Sequence, residues 1–146
     1  MILIKLIFLS GFSGFASSNV EVFAKKCDFD KREVVFEIRN NLNDNIIVYL
    51  SDLPWSYPLN MNYIFCDDLS YENCVNALKF IQNDAGKKIE IKSNSSVSEV
   101  VYLDRLIDSK RLGNQLSVVV WGYSFYFWVL EEKNQKMFSG VCDRFG

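Results

Sequence analysis

The sequence contains no histidine. That absence removes Ser-His-Asp and Cys-His catalysis, histidine-based zinc sites and the His-x-x-x-His metallopeptidase helix. It also removes the one side chain that titrates unperturbed near neutral pH, so proton transfer there has no ready carrier. A glycine-rich phosphate loop is missing as well. Basic charge is not in excess: Lys plus Arg number 16 against 18 Asp plus Glu. Nucleic acid and anionic membrane surfaces each require a basic face, so neither is an expected partner. The basic pairs Lys25-Lys26, Lys31-Arg32, Lys87-Lys88 and Lys110-Arg111 have acidic residues among them and read as solvated surface. Prolines number only 2, and both fall in one short segment, 54–58.

Long apolar runs are also scarce, with one informative exception. Residues 1–15 are almost wholly apolar, carry the single charge Lys5, and lead into Ala16, Ser17 and Ser18. A charged start, a short apolar stretch and a small-x-small site together predict a cleaved secretory signal over 1–18. The run is shorter than the roughly 20 residues that a spanning helix needs, and no second one follows. The mature chain is expected to be exported, periplasmic or extracellular, with no membrane insertion after cleavage. Losing Lys5 lowers the basic count from 16 to 15 and leaves the mature chain mildly acidic.

Four cysteines are present, Cys27, Cys66, Cys74 and Cys142. An even number in an exported chain predicts two disulfides. Three pairings are open. The reading favours Cys66–Cys74, closing a short loop, and Cys27–Cys142, tying the ends of the domain together. Zinc is disfavoured, because Cys-x7-Cys is not a finger or ribbon spacing and no histidine helps. No metal and no cofactor are expected.

The aromatic fraction of 15% favours strands. Strands are expected over 20–26, 33–39, 46–50, 61–66, 75–81, 89–91, 97–103, 116–130 and 136–142. In 33–39, Val34, Phe36 and Ile38 alternate with charged residues, the mark of a half-buried strand. Runs such as 40–45 and 84–87 are turns. The segment 104–112 predicts a short helix, begun by Asp104 and stopped by Gly113. A strand over all of 116–130 would span about 50 Å, so a bulge or bend is expected at Gly122 or Ser124. The whole pattern predicts an all-β, antiparallel β-sandwich, one domain over 19–146.

A resemblance adds to this. The alternating strand, Asn40-Asn41, the loop Leu53-Pro54-Trp55, Ile89-Glu90-Ile91, Val100-Val101-Tyr102-Leu103-Asp104 and Leu116-Ser117-Val118-Val119-Val120 succeed one another in a telling order. That order resembles the immunoglobulin-like sandwich of bacterial intracellular proteinase-inhibitor domains and of accessory domains in secreted metallopeptidases, over residues 33–121. It departs at Asn94-Ser95, where those domains often carry Pro-Gly, and in its cysteines. The resemblance implies an immunoglobulin-like fold and, as one form of function, inhibition.

No catalytic residues are expected and the chain is read as no enzyme. The neighbours Asp67-Asp68 and Glu131-Glu132 point to opposite faces if they lie in strands. Asp28, Asp30 and Glu33 form a charged turn, lacking the glycine of a calcium loop. Asn94-Ser95-Ser96 is a glycosylation sequon that reads as a polar turn. Two aromatic features are candidates for binding. Trp55 and Tyr57 sit between the two prolines, where a rigid loop loses little entropy on binding; the alternative is that Trp55 caps the core. Trp121, Tyr123, Phe125 and Phe127 share one face of their strand, with Val118, Val120, Tyr126 and Trp128 on the other, and one face is exposed, covered or engaged by a partner. The expected function is an exported protein-binding module with an unidentified protein partner, in the manner of an inhibitor or immunity-type factor. The alternative is a structural or assembly subunit of a surface structure, joined by strand addition.

Overall fold

A computed structural model describes residues 19–80, 86–108, 110–112 and 115–145. The signal reading over 1–18 lies outside these residues.

The chain is all-β, with two antiparallel sheets packed face to face. β1 (Val20–Asp28) and β2 (Glu33–Asn40) form a hairpin with a register shift between Ala24 and Lys26. β7 (Ser95–Tyr102) pairs with the other edge of β2, completing a small sheet in the order β1-β2-β7. The large sheet contains β3 (Ile46–Tyr49), β4 (Met61–Cys66), β5 (Cys74–Asn76), β6 (Lys88–Ile91), β8 (Val118–Val129) and β9 (Glu132–Asp143).

β8 is the spine of the large sheet. Along one edge it pairs with β9 through all of Val118–Val129 without a break. On its other edge it meets β4 from Val118 to Tyr123 and then β3 at Trp128. The bulge or bend expected at Gly122 or Ser124 is therefore absent. A strand this long is accommodated because it changes partner partway along.

The hairpin after β8 also differs from expectation. The turn lies at Leu130 and Glu131, with φ of 47° and 68°, and β9 begins at Glu132, four residues before the strand expected at Lys136. Two successive positive-φ residues form the turn whose twist matches the flanking strands. Its usual signature is Asn-Gly, so Leu-Glu carried no signal. The strand expected over 75–81 contracts to Cys74–Asn76, with Ile81 outside the described residues. The helix expected over 104–112 is a single 3-10 turn, Leu103–Arg105, followed by a turn in which Arg111 and Leu112 donate to the Asp108 carbonyl. Gly113, its expected stop, lies outside the described residues.

Between the sheets lies an aromatic core. Phe36 meets the edges or faces of Trp121 and Tyr63 at 5.1 and 6.5 Å, and Tyr63 stacks on Phe65 at 5.6 Å. Such pairs add about 0.5–1.5 kcal/mol each beyond their buried area. Gly140 faces Trp121 across the ladder, and a Cβ there would sit 2.7 Å from the indole nitrogen, so only glycine lets the indole lie over β9. Asn40 is fully buried; its amide donates to the carbonyls of Asp44, Ile91 and Lys92 and accepts from the Leu42 N–H.

Both expected disulfides are present. Cys66–Cys74 joins directly opposed residues of β4 and β5. Cys27–Cys142 links β1 to β9, fastening the small sheet to the large one. Arg144 reinforces that end: its guanidinium donates to the Leu116 carbonyl and to Asp30.

Candidate binding face

The four inward-alternating aromatics of β8 are core. Trp121, Tyr123, Phe125 and Phe127 are at most 4% exposed and point between the sheets. Their proposed part in binding is corrected: an inner face of a strand that has a full sheet opposite it cannot meet a partner. The Tyr123 hydroxyl donates to the Asp52 carbonyl, and burial pushes its phenol well above the usual range. The hydroxyl is spent on tying β8 to the 50–52 turn.

The proline-flanked loop also folds inward. It makes two 3-10 turns, Leu50–Asp52 and Pro54–Ser56, with Leu53, Pro54 and Pro58 buried. Trp55 is half-buried and packs against the core. Tyr57 has φ 54°, a left-handed conformation that costs an aromatic residue about 1–3 kcal/mol and persists only when its surroundings hold it. Two contacts do so. Its hydroxyl accepts the N–H of Tyr102 at 3.1 Å, and the Arg105 guanidinium lies 4.9 Å above its ring.

Tyr102 ends β7, the outer strand of the small sheet. Tyr57 therefore occupies a backbone donor that an added strand would use. Glu99, on the same side of β7 as Val97 and Val101, puts an exposed charge beside it. Tyr57→Phe keeps the ring and deletes the acceptor. We expect about 1 kcal/mol less stability in urea unfolding and measurable self-association by sedimentation. An unchanged midpoint with a strictly monomeric variant would contradict this role.

The other face of β8 is where aromatic surface remains. Tyr126 and Trp128 point away from the core and are half-buried, and Tyr49 of β3 meets Trp128 edge to face at 4.9 Å. The Lys133 ammonium stands 4.7 Å from the Tyr126 ring centre and 5.6 Å from Trp128, and the Lys88 ammonium 5.1 Å from Tyr49. Gln135, opposite Tyr126, donates to its hydroxyl and to Ser124. A groove of about 290 Å³ opens between Ile47, Lys88, Trp128 and Glu131. Further along the same face, Ile64, Val120 and Val141 stand side by side across β4, β8 and β9. Ile64 is 42% exposed, Val141 57% and nearby Met137 73%.

Sequence reasoning had Tyr126 and Trp128 on the face opposite the four core aromatics but did not choose them. Alternation fixes which residues share a face and leaves open which face is inside. Tyr49, Lys88 and Lys133 reach the site only through pairing of distant strands.

The acidic side chains of the 28–30 and 67–68 segments are taken up in structural contacts. Asp28 accepts from the Lys31 N–H at 3.0 Å, Asp30 pairs with Arg144, and Asp68 accepts from the Ser70 N–H at 2.9 Å. Asp67 accepts from the Asn73 side chain. Burial raises the Asp52 carboxyl above its ordinary value, and the nearby Lys133 ammonium partly offsets this. No group of three or more acidic or cysteine side chains able to hold a metal occurs among the described residues. No protein family, no curated protein and no solved structure matches this chain.

Proposed function

We propose that this protein is an exported protein-binding module of the cell envelope or extracellular space, and that it binds through the outer face of the large sheet. The observation that carries the reading is the set of half-buried rings on that outward face, Tyr49, Tyr126 and Trp128, which share it with exposed Met137, Val141 and Ile64. Aromatic residues and methionine are enriched at interface centres, and Trp and Tyr supply most hot spots. Two disulfides suit an oxidising compartment, and the leader-like start of the chain supports export. An inhibitor or immunity-type factor is one form of such a module. The alternative is a subunit joined by strand addition at the C-terminal strand pair, where β9 pairs with β8 on one side only among the described residues; Tyr57 occupies an N–H on the β7 edge and leaves that one open.

The test is affinity capture with the oxidised mature protein, using the envelope and secreted fractions of its own source. The expected result is one stoichiometric protein, retained by Glu99→Gln on the small sheet and lost by roughly tenfold or more with Trp128→Ala. Equal retention by Trp128→Ala would overturn the proposed face, and retention of no protein would overturn the module.

A further inference from the structure

Among the described residues, β1, β5, β6, β7 and β9 each have one side without a ladder partner. Four of these edges offer little to a further strand. β5 and β6 are only 3 and 4 residues long. β1 is interrupted by its register shift, with exposed Lys25 and Lys26 there. β7 has its Tyr102 N–H taken by Tyr57. β9 differs, with 12 residues paired to β8 without a break. Sheets avoid joining by keeping their edges short, bulged, charged or covered, so a long regular edge left open is a pairing site. The hairpin turn fixes which groups that edge offers. Val129 and Glu132 flank a two-residue turn and exchange both backbone bonds. The even-numbered residues of β9 therefore bond to β8, a pattern that the Arg144 N–H extends by donating to the Ser117 carbonyl. Lys133, Gln135, Met137, Ser139, Val141 and Asp143 turn their N–H and C=O groups to the open edge. The small sheet is tied to β9 through inward-facing side chains, at Lys136 and Cys142. Between those ties an open cleft of about 520 Å³ separates Phe138 from Val22, Phe23 and Arg39.

We propose that the protein forms a two-fold symmetric dimer in which β9 pairs antiparallel with β9 of a second copy, centred on Phe138. The inference rests on the strand-addition reading and names its partner. Charge sets the register. With Phe138 opposite its counterpart, Lys133 meets Asp143, Gln135 meets Val141 and Met137 meets Ser139, and the two-fold axis repeats each pair. All of these are residues whose backbone groups face the open edge. No like charges stand opposite each other, and a shift by two residues either way loses both Lys133–Asp143 pairs. Neither residue is spent on an ion pair among the described residues. The Lys133 ammonium rests on rings, and Asp143 accepts only the Phe145 N–H, at 2.9 Å. Exposed Met137 and Val141 gain neighbours across the new ladder, and the Phe138 rings face each other at the axis. Because Tyr57 closes β7, the assembly ends at two copies.

The experiment is sedimentation velocity of the oxidised mature protein over a wide concentration range, with zero-length carbodiimide cross-linking of mixed isotope-labelled and unlabelled copies. The expected result is a reversible dimer with Lys133 joined to Asp143 between copies. Within one chain these residues lie at opposite ends of a strand, roughly 34 Å apart, too far to be joined. Lys133→Glu or Asp143→Lys alone should weaken the dimer roughly tenfold, since each sets like charges opposite twice. The exchange Lys133→Glu/Asp143→Lys should restore it. Ser139→Pro removes an outward N–H and no bond to β8, and should abolish the dimer. Tyr57→Phe opens the β7 edge and should add association beyond two copies. Trp128→Ala should leave the dimer unchanged, which separates it from binding at the rings. A monomer at every concentration, or a dimer indifferent to Ser139→Pro and to the charge reversals, would overturn the proposal. A monomer that captures a different protein, lost with Ser139→Pro, would overturn the second copy as occupant and leave strand addition standing.

Discussion

Replacing Cys27 and Cys142 together by serine should lower unfolding stability by about 5 kcal/mol, against about 2.5 kcal/mol for Cys66 and Cys74. The difference comes from loop length. The first bridge spans 115 residues and the second 8, and a long closed loop restricts the unfolded chain more. The native contacts agree with this ranking. Cys66 and Cys74 join strands that also share a ladder. Cys27–Cys142 crosses from β1 to β9, which share no ladder. At the far end of that seam the Lys136 ammonium donates to Asn19 at 3.0 Å, a partly screened contact that cannot replace a covalent one. Urea unfolding followed by far-ultraviolet circular dichroism checks both variants. Equal losses would show that chain entropy is not what the long bridge supplies.

Asn40→Ala should cost about 3 kcal/mol, large for a single polar side chain. Asn40 is fully buried at the end of β2, and its amide carries three donated bonds of 2.9–3.2 Å and one accepted bond of 3.0 Å. The three acceptors belong to the turn before β3 and to the crossing from β6 to β7. Truncation leaves the buried Ile91 carbonyl without this partner, at about 1–3 kcal/mol, while the carbonyls of exposed Asp44 and Lys92 lose a part-buried bond that water recovers in part. Asn40→Asp should be at least as damaging. It keeps the shape, loses both donors and turns a carboxylate toward carbonyl oxygens. Urea midpoints at constant slope measure both, and a loss below about 1 kcal/mol for the alanine variant would show that water replaces the amide.

Much of the fold was legible because alternation and turn chemistry are local. Val34, Phe36 and Ile38 face inward as their spacing predicts, and the run 40–45 turns the chain. The two bridges are the pair favoured, among three open pairings, for a short loop and for tying the ends of the domain. The misreadings share one origin. Leu130-Glu131 makes a hairpin turn without a turn residue, because the 12-residue ladder on either side holds both residues at positive φ. Tyr57, chosen for its rigid loop, is taken up by a backbone donor 45 residues away. Neither is visible to any window of a few residues.

By itself the sequence determined the class of the fold, its antiparallel strands, its two disulfides and the absence of histidine chemistry. Each of these follows from composition or from a period of two. Only the tertiary structure decided which face of β8 is core. The small sheet covers Trp121, Tyr123, Phe125 and Phe127 and leaves Tyr126 and Trp128 outside, because burying one face of a sheet requires a second layer that the strand itself cannot specify. The same packing brought Tyr49, Lys88 and Lys133, from three different strands, to the rings on one face of the large sheet.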